Sequence, residues 1–126
     1  MTTRTHAHES TPGAGTVIGA DGAVLARITW RTESAERARV TVEGDVDRDT
    51  APALRAQLLD ALASRPVVCC DLASTAFFSA AGVDALVQVH VAAAESGRSL
   101  VLAGVGEQAA FVLSRTGFLG VLAVER

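Results

Sequence analysis

The sequence contains no lysine and no tyrosine, and only three histidines. All eleven basic residues are therefore arginine, set against fourteen acidic ones, for a formal net charge of −3. No basic stripe is available to displace counterions from a phosphate backbone, which argues against nucleic acid as the ligand. Missing lysine beside abundant alanine reads as the codon bias of a GC-rich, bacterial genome. Long apolar runs are absent too: no uncharged segment approaches the roughly 20 residues of a membrane span. No apolar stretch follows a basic N-terminus, as a secretory signal requires. A cytoplasmic protein without membrane contact is expected. The chain also lacks H-E-x-x-H, a phosphate-binding G-x-x-x-x-G-K, C-x-x-C and G-x-S-x-G, the familiar carriers of catalysis. Its one histidine beyond the N-terminal region, His90, lies between two valines on a helical pattern and reads as a packing residue. A non-enzyme with no cofactor is expected.

Cysteine is limited to the adjacent pair Cys69 and Cys70. Neighbouring strand residues point to opposite faces, so these two are placed neither to bridge each other nor to share a metal. Buried, inert thiols are expected.

What is present suffices for one domain: 126 residues, 49% of them hydrophobic, can bury a core without staples. Residues 1–15 are small and polar and read as a disordered arm, leaving 16–126 as the domain. His6 and His8 have no Cys or carboxylate at metal-site spacing. After the turn signal Asp21-Gly22, residues 24–31 and 38–43 read as the strands of a hairpin. A helix follows, capped by Asp49 or Thr50, with Pro52 in its first turn. It buries Ala51, Leu54, Leu58, Ala61 and Leu62 and stops near Ser64, ahead of Pro66. Residues 66–72 are apolar without alternation, as in a strand covered on both faces. A small-residue corner leads to a helix from near Val83, with Val83, Leu86, Val87, Val91 and Ala94 inward and Gly97 at its end. A strand over 99–103, a short helix over 108–115 (Ala109, Val112 and Leu113 inward) and a last strand over 119–124 complete the chain. The order is β-β-α-β-α-β-α-β. It predicts an α/β fold with a mixed, mostly parallel sheet of about five strands, an N-terminal hairpin, three helices and right-handed crossovers.

Two motifs invite a ligand. Asp45-x-Asp47-x-Asp49 opens like a calcium loop, but Thr50 and Ala56 stand where such a loop needs Gly and a bidentate Glu, so no metal is expected. Gly104-Val105-Gly106-Glu107-Gln108-Ala109 follows a strand, opens a helix and matches G-x-G-x-x-G/A, with Glu125 beyond the next strand. That motif belongs to the first unit of a longer sheet, and the sequence offers no further strands for the rest of a dinucleotide. A tight glycine turn between strand and helix is the preferred reading; a small nucleotide-binding protein is the lesser one.

Taken in order, these segments resemble the STAS domain of bacterial anti-sigma-factor antagonists over about residues 24–124. The family's G-x-(L/V)-D…T-A segment is matched by Gly44, Val46, Asp47, Thr50 and Ala51. Its D-L-x-x-(V/L)-x-F-(I/M)-D-S-S-G-(L/V) segment is matched by Asp71, Leu72, Phe77, Gly82 and Val83 without insertion. The resemblance implies a non-catalytic regulator that binds a partner anti-sigma factor with a kinase-type fold. Family members usually carry Asp-Ser-Ser-Gly at the corner, and the Ser before the Gly receives phosphate from that partner. Here the corner reads Ser79-Ala80-Ala81-Gly82, so Ala81 stands in the acceptor position and no hydroxyl is available there.

Phosphate would add about −1.5 to −2 charges at the docking surface; alanine cannot be switched this way. The resemblance thus implies an antagonist held in its partner-binding state, or a STAS subunit or scaffold of a transport or sensory assembly. Ser79, where the family has Asp, is an alternative phosphoacceptor. The expected contact residues are Asp45, Asp47, Thr50, Ser79, Ala80, Ala81, Gly82, Val83, Asp84 and Val87. A fourth helix often follows the last strand in the family; the sequence stops at Arg126 without one.

Overall fold

The computed structural model describes residues 14–18 and 22–125, the first five as backbone alone. Strands β1 (Ala14–Ile18), β2 (Val24–Thr32) and β3 (Arg37–Gly44) pair antiparallel; β4 (Val67–Ser74), β5 (Ser99–Ala103) and β6 (Ala123–Glu125) continue the sheet in parallel from β3. Helices α1 (Ala51–Ser64), α2 (Ala80–Glu95) and α3 (Glu107–Thr116) form the three crossovers. The expected element order is present, with one further edge strand ahead of the hairpin. The arm expected over residues 1–15 lies outside the described residues except for Ala14 and Gly15, which pair with β2. His6, His8 and Asp21 also lie outside them.

The strands are laid down in sequence order, β1 to β6. Right-handed crossovers between successive parallel neighbours put every helix on the same face. Alternation shows it: Ala38, Val40 and Val42 of β3 are buried, whereas Arg37, Arg39 and Thr41 turn to the helix-free side. One row of the covered face runs Trp30, Val40, Cys70, Leu102 through the register of four strands. Leu54, Leu58, Leu86 and Leu113 close on it from the helices, each with no exposed surface. Each such side chain contributes about 1.5–3 kcal/mol relative to leaving it in water.

Two boundaries and one buried stripe differ most from expectation. Helix α2 starts at Ala80, three residues before Val83, because Ser79 caps it: Ser79 Oγ accepts from the Gly82 N–H at 3.4 Å. Its buried stripe is Gly82, Val83, Ala85, Leu86, Val89 and Ala93, while Val91 and Ala94 are exposed. Val91 follows Leu86 by five residues, roughly 140° around a helix of 3.6 residues per turn, so it cannot share that face. The last strand covers only Ala123–Glu125. Ahead of it the N–H groups of Val121 and Leu122 both turn back to the Phe118 carbonyl, which tucks Leu122 into the core.

The helix-free face carries ion pairs in place of a second layer. Arg37 forks onto Glu125 at 2.7 and 2.9 Å and also meets Glu33 at 3.0 Å; Arg39 joins Glu33 to Asp71. Cys69 lies fully buried on this side and Cys70 fully buried under the helices, so the two thiols face opposite ways, as expected. Burial pushes both thiols' pKa values up.

Candidate functional site

Two loops meet at the C-terminal ends of β3 and β4. The first, residues 45–50, is held by its own side chains. Asp47 Oδ1 accepts from the N–H groups of Asp49 (2.9 Å) and Thr50 (3.1 Å), and Thr50 Oγ1 donates to the Asp45 carbonyl while accepting from the Asp47 N–H, both at 2.8 Å. Thr50 is 1% exposed, so this hydroxyl is an interior fastener of the loop; Thr50 holds the N-cap position of α1, ahead of Ala51 and Pro52, but its side chain makes no capping bond to the helix. The second loop leaves β4 at Ser74 and ends at the Ser79 cap. The two are stitched by an isolated parallel bridge: Val46 N–H donates to the Phe77 carbonyl and Ser79 N–H to the Val46 carbonyl, each at 2.8 Å. Phe78, fully buried, fills the space beneath.

Gly82 sits over that ring. A Cβ added there would come within 2.7 Å of Phe78 Cζ and 2.8 Å of Val46 Cγ1. Only glycine lets α2 lie this close to the bridge, so its missing side chain serves the interior and not an approaching partner. The expected contact residues therefore divide. Asp45, Ala80 and Asp84 are exposed, and Asp47, Ser79, Ala81 and Val87 are half-buried. Thr50, Gly82 and Val83 are buried and shape the surface from below: Thr50 fastens the first loop, Gly82 makes room for the Phe78 ring and Val83 joins the core. Asp47 also spends one carboxylate oxygen on its own loop, which limits it as a steering charge.

Two shallow hollows flank the corner. One, of about 340 Å³, lies among Asp47, Arg48, Asp49, Ser79, Ala80 and Ala81. The other, of about 330 Å³, runs between α1 and α2, with Arg48 and Arg55 on one wall, Asp84 and Gln88 on the other and Ala51, Ala81 and Ala85 along its floor. Ala81 and Arg48 belong to both. Among the described residues Arg48, Arg55 and Asp84 form no ion pair. The arrangement is a surface of small side chains rimmed by charges of both signs.

The family model described as Mlab, STAS domain matches residues 31–123. The chain belongs to the STAS domain family. No curated protein matches the sequence. Among solved structures, this STAS domain resembles the Bacillus anti-sigma factor antagonist SpoIIAA in its unphosphorylated form, with a TM-score of 0.67 at 12% identity over 79% of this chain and 88% of that one. It also resembles an anti-sigma factor antagonist from Mycobacterium paratuberculosis, with a TM-score of 0.61 at 20% identity over 89% and 85% of the two chains. A sulfate transporter family protein from Wolinella succinogenes shares the fold as well, with a TM-score of 0.59 at 22% identity over 68% and 73%. At these identities the likeness is one of fold.

The glycine-rich segment adopts the expected tight turn. Gly104 has a φ of +66°, and a Cβ there would meet the Ala73 backbone nitrogen at 2.6 Å. Glu125, the acidic residue of that pattern, has both carboxylate oxygens bonded to Arg37. Among the described residues no three His, Cys, Asp or Glu side chains gather as metal ligands, and no helix is long and apolar enough to cross a membrane. Sequence reasoning missed three residues of the site, Arg48, Arg55 and Gln108; Arg55 carried only the signal of an exposed position on the first helix. Arg48 carried only the signal of a basic residue inside an acidic run. Gln108, whose amide bonds to Phe78, carried only the misleading signal of its glycine-rich run.

Proposed function

We propose that this STAS domain is a non-catalytic, cytoplasmic regulator from a bacterium that acts by docking a protein partner on the corner formed by residues 45–49 and 79–84. The partner is an anti-sigma factor with a kinase-type fold, and Ala81 keeps the corner in its docking form. The observation that carries this reading is the position of Ala81. It is half-buried in the first turn of α2, lines both hollows, and offers a methyl group where the family's acceptor hydroxyl would be. SpoIIAA, which shares the fold, is described in unphosphorylated and phosphorylated forms. Ala80, Ala81 and Ala85 let another backbone come close, and the flanking Asp45, Arg48, Arg55 and Asp84 favour a partner of complementary charge pattern, chiefly through association rate. A standard interface here would bury about 800 Å² on each side.

The test is affinity capture from the native host, followed by binding of the purified partner to wild type and to Ala81→Glu. The reading expects the variant to fold normally and to lose the partner; equal binding by both removes this surface. The likeness to the Wolinella sulfate transporter family protein favours a second reading, a subunit or scaffold of a transport assembly. Capture of a permease in place of an anti-sigma factor decides for it.

A further inference from the structure

The segment 77–79 behaves as a strand one residue long. On one side its polar groups meet Val46, through the Phe77 carbonyl and the Ser79 N–H. On the other, alternation turns the Phe78 N–H and carbonyl outward, where an adjacent strand would normally exchange both bonds with them. Among the described residues no strand lies there. The Gln108 side chain fills the place: its Oε1 accepts from the Phe78 N–H at 2.7 Å and its Nε2 donates to the Phe78 carbonyl at 2.9 Å. A primary amide is the side-chain group that copies both halves of a peptide unit.

The glycine-rich segment explains how Gln108 arrives. Gly104 packs against Ala73 at the end of β4, and Gly106 caps α3, which starts at Glu107. Gln108 is thus the second residue of a helix whose origin is fixed against the strand leading into the corner. The helix buries little of its own, only Ala109 and Leu113, so this pair of bonds is a principal tie between α3 and the corner.

We propose that Gln108 is a positioning residue of the docking corner: its amide takes the place of a neighbouring strand against Phe78 and so fixes how α2 presents Ala80 and Ala81. Its importance for docking rests on the function proposed above; the pinning itself does not. The G-x-G-x-x-A pattern then serves to aim a glutamine at a protein backbone.

The test uses the full chain alone, with amide exchange and chemical shifts followed by NMR. Gln108→Met keeps the length and removes both bonds. It should speed exchange at Phe78 by about tenfold or more and move the Ala80 and Ala81 amide resonances, while Val40, Cys70 and Leu102 keep wild-type rates. Gln108→Glu is the sharper variant. As a carboxylate it still accepts from the Phe78 N–H but opposes the Phe78 carbonyl; protonated, it restores both bonds. The corner resonances of Gln108→Glu should therefore titrate, with a low-pH limit matching wild type at the same pH. Unchanged exchange at Phe78 in Gln108→Met, an equal rise across all strands, or no such titration in Gln108→Glu would each overturn the proposal. No partner enters this measurement, so its outcome is independent of the Ala81→Glu binding test.

Discussion

If the corner docks a partner as proposed, replacing Ala81 by aspartate should separate folding from docking. Position 81 is the second residue of α2, within the turn whose N–H groups lack intrahelical acceptors. A carboxylate there gains about 0.3–1 kcal/mol from the helix dipole and loses up to about 0.7 kcal/mol of helix propensity relative to alanine. Arg48, which shares both hollows with Ala81, adds an exposed ion pair of about 0–1 kcal/mol. These terms leave a small net effect with a slight gain at their middle values, so the urea midpoint of Ala81→Asp should stay at or slightly above that of wild type. Docking is different. A partner seated on the alanine floor strips water from the new charge, and an uncompensated buried charge costs about 3–5 kcal/mol. That is a loss of roughly 150- to 5,000-fold in affinity. Isothermal titration with the captured partner measures it, and Ala81→Ser serves as the control that adds a hydroxyl without charge. Affinity within threefold of wild type for the aspartate variant, at unchanged stability, would refute the placement of the interface.

Three further outcomes follow from the geometry. Gly82→Ala gains up to about 1 kcal/mol of helix propensity but drives a Cβ to within 2.8 Å of both Phe78 and Val46; overpacking of about 1–3 kcal/mol should prevail, and a raised urea midpoint would contradict it. Glu33 is held below the usual carboxylate range, first by its hydrogen bond from Arg39 and then by Arg37. A lowered folded pKa contributes stability that is present above the unfolded value of about 4.3 and lost as pH falls through the folded one. The stability advantage of wild type over Glu33→Gln should accordingly be full at pH 6 and fade in acid; an advantage that grows on acidification would show the sign to be wrong. Cys69 and Cys70, buried and with raised pKa values, should resist an aromatic disulfide reagent at pH 8 until the chain is unfolded. Rapid native labelling would mean that the ion-paired face opens readily.

Much of this architecture was legible in the sequence where period and burial agree. The strand over residues 99–103 has the observed bounds, and those of β2 and β3 fall within a residue of expectation, because apolar alternation there coincides with one covered face. The start of α2 was not legible, since Ala80-Ala81-Gly82 reads equally as a small-residue turn. What decides is the serine cap together with the close approach of Gly82 to Phe78, a contact outside any local pattern. For the same reason the sequence placed Thr50, Gly82 and Val83 on a contact surface. Family motifs mix residues that meet a partner with residues that build the surface from beneath, and only burial separates them. Gln108 was hidden more deeply. A side chain that pairs with a backbone thirty residues away leaves no periodicity, and its setting in a G-x-G-x-x-A run pointed toward a nucleotide. The corner itself was legible because the motif of the resemblance crossed it without a gap, so Ala81, where that motif reads serine, stood out.

The most direct measurement of the central claim is the lifetime of the complex with its partner in the presence of ATP. A corner that cannot accept phosphate should leave the complex intact and every residue from 74 to 84 unmodified by mass spectrometry, while Ala81→Ser becomes phosphorylated and is released. Transfer of phosphate to Ser79 of the wild-type chain, with dissociation of the complex, would contradict the account.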